Sequence, residues 1–201
     1  RQSQRRVQPE APSAAAWLET SPFELRWAQP SNGPAWSVSS ARAKVFGAEL
    51  VVERASGEQR DGLVGTDLVV ALQPLKVSEV LGRWQPDAGW GGDLTIAGRL
   101  TAVRPPGGVW RIDGQLARQA GDLSLSEPGV GGASAQRLGI RDIKLGLSAA
   151  NGLWQFSHLV DGRVLGSVSG NVRVQAAPSN PWPALTDPLQ GEVQVKLAVS
   201  Y

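Results

Sequence analysis

The sequence predicts a mostly β chain: an elongated antiparallel sheet with one short helix near residues 75–84. Three observations predict it. Apolar and polar residues alternate with period two along most of the chain, and the alternating runs are bounded by Asn-Gly, Asp-Gly and Pro-Gly pairs. A single window, Pro74 to Trp84, has helical spacing instead. The 24 Gly and 14 Pro in 201 residues supply the turns, and 19% charged residues leave the chain short of helix-favouring Lys and Glu.

In chain order, Arg1 to Ala16 is rich in Gln, Pro, Ser and Ala without apolar periodicity and reads as a linker or flexible lead-in. Residues 17–201 form the repeated-strand β segment. Phe23, Leu25 and Trp27 alternate with Glu24 and Arg26; Trp36 and Val38, then Ala41, Ala43 and Val45, form a second set. Leu50 and Val52 follow, then Leu68, Val70 and Leu72. Val77, Val80, Leu81 and Trp84 fall at i, i+3, i+4 and i+7, one face of a helix that ends near Gln85-Pro86, because the residue before Pro disfavours helical backbone.

Alternation resumes with Leu94, Ile96 and Leu100, then Trp110, Ile112 and Leu116, the short pair Leu123 and Leu125, and Ile143, Leu145 and Leu147. Trp154 and Phe156 follow the turn signal Asn151-Gly152, and Val168, Val172 and Val174 follow Asp161-Gly162. Val193, Val195, Leu197 and Val199 close the run. The reading gives about ten to thirteen strands.

A weak repeat of Gly, polar, aliphatic, polar begins at Gly92, Gly121, Gly166 and Gly191. Glycine at a strand start permits a bulge or tight bend, and repeated strand units point to a stacked, elongated sheet.

Composition excludes most chemistry. With no Cys there are no disulfides, no thiolate nucleophile and no Cys-ligated metal, and one His rules out a multi-His centre. A net charge of +2, dispersed apart from Arg1, Arg5 and Arg6, gives no nucleic-acid footprint. His158 alternates with Phe156 and is read as a strand or turn residue. Gly166 to Gly170 has Val168 where a nucleophile elbow needs Ser. Gly129 to Ser134 lacks the glycine pattern of a dinucleotide loop and the Gly-Lys of a phosphate loop, so it is read as a hairpin loop. Asp61, Asp87 and Asp161 stand beside Gly or Pro and are read as turn residues. No catalytic, cofactor or metal residue is expected. Trp27, Trp36, Trp110 and Trp154 lie in phase with the aliphatic face, and Trp84, Trp90 and Trp182 are expected as caps over the sheet's ends. The sequence begins at Arg1 and contains no Met, so it is read as a segment of a longer chain.

The run Pro86-Asp87-Ala88-Gly89-Trp90-Gly91-Gly92-Asp93-Leu94-Thr95-Ile96-Ala97-Gly98, the stretch Ser124 to Pro128, and Leu138-Gly139-Ile140-Arg141-Asp142-Ile143-Lys144-Leu145 together resemble the TamB family. So do Asn151 to Phe156 leading into Gly162 to Gly166, and Trp182-Pro183 leading into Pro188 to Val193. The resemblance covers residue 17 to the end. TamB proteins belong to the AsmA-like envelope proteins of Gram-negative bacteria. The resemblance implies a periplasmic segment of an inner-membrane-anchored protein, with the anchor outside these residues. It implies a sheet curled into an open, taco-like groove with an apolar lining. It also implies an outer-membrane partner of the Omp85 class (TamA-like), a part in assembling outer-membrane proteins such as autotransporters, and phospholipid movement between membranes.

Elementary physics accords with that expectation. Burying an acyl chain contributes about 0.8 kcal/mol per CH₂, so roughly fifteen carbons gain on the order of 12 kcal/mol on leaving water. The expected lining is Leu94, Ile96, Ile112, Leu116, Leu123, Leu125, Ile143, Leu145, Leu147, Val193, Val195 and Leu197, with phospholipid acyl chains as the ligand. The alternatives are an assembly platform whose free strand edges template nascent outer-membrane strands, a carbohydrate-binding β-sandwich or glycosidase, and an outer-membrane β-barrel fragment. A single Tyr and three Phe speak against the barrel's aromatic girdles.

Overall fold

The computed structural model describes residues 18–27, 35–39, 41–45, 48–126, 135–164, 166–176, 182–184 and 186–198. The lead-in, the Gly129–Ser134 loop, Val199 and Tyr201 lie outside the described residues.

Seventeen strands and one α-helix are described. The strands are β1 (Leu18–Thr20), β2 (Glu24–Trp27), β3 (Trp36–Ser39), β4 (Arg42–Val45), β5 (Ala48–Gly57), β6 (Gln59–Arg60), β7 (Leu63–Val64), β8 (Thr66–Lys76), β9 (Trp90–Gly92), β10 (Thr95–Arg104), β11 (Arg111–Ala120), β12 (Leu123–Leu125), β13 (Gln136–Arg137), β14 (Ile140–Ala150), β15 (Leu153–Gly162), β16 (Gly166–Gln175) and β17 (Leu189–Lys196). The count exceeds the sequence expectation because pieces such as β6, β7 and β13, two residues each, are too short to show a period.

One antiparallel sheet of twelve strands dominates, in the order β1-β4-β5-β8-β10-β11-β14-β15-β16-β17, with β2 and β3 joined to the far end of β5. Its end strands do not pair with each other, so the sheet curls without closing into a barrel. Curvature has identifiable sources. The register shifts at Val52/Arg54, Thr95/Ile96, Ile96/Gly98 and Ile140/Asp142, and an extra residue bends the strand that carries it. Two hairpins, β6 to β7 and β14 to β15, turn through the left-handed pairs that a two-residue turn needs, Asp61 (φ 52°) with Gly62 (φ 78°) and Asn151 (φ 53°) with Gly152 (φ 76°). Asp161-Gly162 is not a turn, contrary to the sequence reading. Both residues finish β15, and the Asp161 carboxylate takes a two-pronged bond from Arg141 at 2.8 and 2.9 Å on β14.

The helix, α1, spans Val77–Trp84, with Gln85 as its C-cap and a 3-10 turn at Pro86–Ala88. It starts three residues later than Pro74 because β8 runs on to Lys76, its Leu75 and Lys76 still paired with β10. A second sheet, β13-β12-β9, lies beside it. Together they close one end of the large sheet: Leu94, Leu123, Leu138 and Ile140 form a buried cluster against Val77, Leu81, Trp90, Ile143 and Val160. The opposite end is closed by Ala102, Ile112, Ala149, Trp154, Val174 and Ala176, with Trp110, Leu68, Leu100 and Leu147 packed on them. Trp90 and Trp182 occupy capping places, Trp182 standing 5.3 Å from Trp154. Trp84, at the last turn of α1, is 69% exposed and is not part of either buried cluster.

Two copies of the sequence repeat meet each other in the second sheet. Gly92 (φ 99°) and Gly121 (φ 75°) take left-handed backbone, and Gly92 is paired with Leu123. Asp93 and Asp122 then interlock: the Asp122 N–H donates to the Asp93 carboxylate at 3.0 Å, and the N–H groups of Asp93 and Leu94 donate to the Asp122 carbonyl. Gly191, the fourth copy, lies inside β17 and opposes Val172 instead of opening a strand. Among the described residues, no helix is long and apolar enough to cross a membrane.

Candidate functional site, an apolar face open at its middle

Residues opposite each other in antiparallel strands share a face, so the register reads out the two surfaces of the sheet. One row is Leu68, Ala102, Ile112, Ala149, Trp154, Val174 and Leu189, crossing from β8 to β17. The next is Val70, Leu100, Gly114, Leu147, Phe156, Val172 and Gly191, and the third Leu72, Gly98, Leu116, Leu145, His158, Gly170 and Val193. A fourth has Leu75, Ile96 and Arg118 on β8 to β11, and Ile143, Val160, Val168 and Val195 on β14 to β17. Leu50 and Val52 extend it onto β5, and Leu25, Val38 and Ala55 onto β2, β3 and β5. Ten strands at about 4.8 Å spacing give a face roughly 43 Å long across the strands.

The opposite surface is more polar and laced with ion pairs, Arg42–Glu49 at 3.1 Å, Arg54–Asp67 at 2.8 Å, Arg99–Glu53 at 2.6 Å and Lys144–Asp142 at 2.7 Å, although it also buries Val69. Between Asp113, Ser148, Gln155, Asn171, Arg173 and Glu192 it holds a shallow cavity of about 720 Å³.

Glycine gives the apolar face its relief. Gly98, Gly114, Gly170 and Gly191 all fall on it. A Cβ at Gly98 or Gly191 would run into the backbone of the neighbouring strand, and one at Gly170 would meet the His158 ring at 2.9 Å. At Gly57 the Trp36 indole lies directly over the missing side chain. Such close approach is what an in-strand glycine permits, and it favours bending toward that side.

The lining expected from sequence divides three ways. Ile96, Leu116, Ile143, Leu145, Leu147, Val193 and Val195 lie on this face, and Leu197 continues it just past β17, 77% exposed. Ile112 shares the face but is only 6% exposed, sealed in the core at the Trp154 end. Leu94 and Leu123, at 0% and 7%, are closed core under α1 and the second sheet, because the left-handed glycines beside them redirect the chain off the large sheet. Leu125 belongs to that second sheet too. These last four correct the sequence expectation. The expected lining left out Leu100, Phe156 and Val172, although each stood in an alternating set; His158 lies in β15 on the same face as Phe156, as its alternation implied, while Arg118 went unremarked.

Between the sealed ends the face is open: Leu145 is 36% and Phe156 39% exposed, while Val193 and Val195 on β17 are each 58% exposed. Trp110, Trp154 and Trp182 frame a further pocket of about 750 Å³ at the sealed end, with the Arg104 guanidinium 6.0 Å from the Trp110 ring.

The strongest electrostatic feature is structural. The Asp122 carboxylate accepts the N–H groups of Leu123 (2.9 Å), Gly139 (3.0 Å) and Ile140 (2.8 Å). Burial works to raise its pKa, but the three N–H donors and the charge of Arg137 outweigh it and hold the carboxyl below the ordinary value. Asp93 is held low by its bond from the Asp122 N–H. Neither carboxylate faces the open band. Among the described residues no three His, Asp or Glu converge as metal ligands.

No family model, no curated protein and no solved structure matches this chain.

Proposed function

We propose that this chain is a segment of a TamB-like envelope protein whose apolar face carries phospholipid acyl chains across the periplasm, in support of outer-membrane assembly. The observation behind this reading is the open middle of the face, where Leu145 and Phe156 remain 36% and 39% exposed between two sealed cores. A dry core would be covered along its whole length. Apolar contact is non-directional, so a chain held by it slides across strands without breaking specific bonds. The polar reverse keeps the sheet soluble, and no chemistry is asked of any residue. In the full-length protein the partner at the outer membrane is an Omp85-type, TamA-like protein, and the enclosing compartment is the periplasm of a Gram-negative bacterium.

Binding of a fluorescent acyl probe to the 201-residue chain tests the reading. Leu145→Asp puts a charge on the open band and weakens the probe by about tenfold or more, roughly 1.4 kcal/mol per tenfold. Lys144→Asp, on the polar face of the same strand, leaves it within about twofold. Equal losses from the two variants would contradict the proposal.

A second reading, assembly by edge templating, is favoured by one observation. β17 pairs only with β16 among the described residues, and all eight of its residues are exposed. An unpaired edge adds a strand of another chain through backbone hydrogen bonds.

A further inference from the structure

We infer that Arg118 makes the apolar face selective for amphiphiles with an anionic headgroup, a reading that rests on the acyl-carrying role proposed above. Arg118 lies opposite Ile96, on the same face as Leu116 and Gly114. It is the one arginine that the register places among the four apolar rows. Its Nη2 donates to the Gly121 carbonyl at 2.7 Å, its Nε is buried with no hydrogen-bond partner, and no carboxylate lies within 4 Å to pair with it among the described residues. The arginines at 42, 54, 99 and 141 all have carboxylate partners on the polar side. A guanidinium at an apolar surface without a counter-ion is costly, and an anion that reaches it recovers a charge-assisted bond.

The position suits one end of an amphiphile. Arg118 stands where the open band meets the end closed by α1 and the second sheet, so a headgroup held there directs its chain along Leu116, Leu145 and Phe156. Among the described residues the Nη1 group makes no hydrogen bond and is not one of the buried unpartnered atoms, which leaves a donor for the headgroup. The shared chemistry is a phosphate monoester or diester, or a carboxylate, attached to an alkyl chain.

Displacement titrations with dodecyl phosphate, dodecanoate, dodecanol and inorganic phosphate test the inference on wild-type chain, Arg118→Gln and Arg118→Lys. The wild type is expected to bind the two anionic amphiphiles about tenfold more tightly than dodecanol, as one charged hydrogen bond allows. Arg118→Gln brings that ratio to about one, its circular dichroism spectrum matching the wild type's to report that the variant is folded, and Arg118→Lys restores part of it. A ratio that stays the same in Arg118→Gln overturns the inference and leaves the apolar-face reading standing. Inorganic phosphate as tight as dodecyl phosphate would make this a site for a free anion and overturn it as well. No binding of any amphiphile to the wild type would remove the acyl-carrying reading and this inference with it.

Discussion

At the residue scale, Asp122 ties the two sheets together. Its carboxylate gathers N–H groups from β12 and from the start of β14, pinning the second sheet to the large one. Asp122→Ala leaves part-buried donors without a partner, and a loss on the order of 2–4 kcal/mol is expected in urea unfolding. The same site sets a pH response. Its folded-state pKa lies below the unfolded value, so the stabilisation is fully present above the ordinary Asp value of about 3.9 and is lost as the pH falls through the lower folded value. Urea midpoints measured down that range should fall more steeply for the wild type than for Asp122→Asn; parallel curves would show that the carboxylate is not the titrating group. Neither Asp122 nor Arg118 was legible in the sequence. A Gly-Asp-Leu triplet announces a turn, not the neighbouring copy its carboxylate will grip, and an arginine in an alternating run gives no sign that its partner is missing.

At the element scale, alternation was a sound guide wherever strands ran eight residues or more. β10, β11, β14, β15, β16 and β17 coincide with alternating sets in the sequence, and α1 lies where the spacing changed. The pattern failed at Leu123 and Leu125, which belong to the second sheet, and at Leu94, which lies between β9 and β10 in no strand at all. Period two reports that a face exists and is silent on which face it packs against. The edge strand β17 carries the clearest prediction of this scale. Leu189, Val193 and Val195 are 70%, 58% and 58% exposed beside a backbone edge that pairs with no further strand among the described residues. Such an edge associates with its like, so the chain should show concentration-dependent association in sedimentation experiments. Val193→Lys combined with Val195→Lys should suppress it; association unaffected by the pair would locate the contact elsewhere.

At the scale of the whole molecule, the sheet separates two jobs. Its polar side is held by surface ion pairs, each worth a fraction of a kcal/mol to about 1 kcal/mol, and these contribute more to solubility than to stability. Its other side concentrates the apolar residues, seals them at two ends and leaves a band between. That band is the surface we propose for ligand binding, and phospholipid is the ligand we propose for it. Leu145 and Lys144 are neighbours in β14 that point to opposite sides, which makes them a matched pair of probe sites. A photocrosslinking residue placed at each, in cells of a Gram-negative bacterium, tests the central claim most directly. Phospholipid captured from position 145 and not from position 144 is the predicted result. Capture of protein alone from position 145, or equal lipid capture from both, would contradict it.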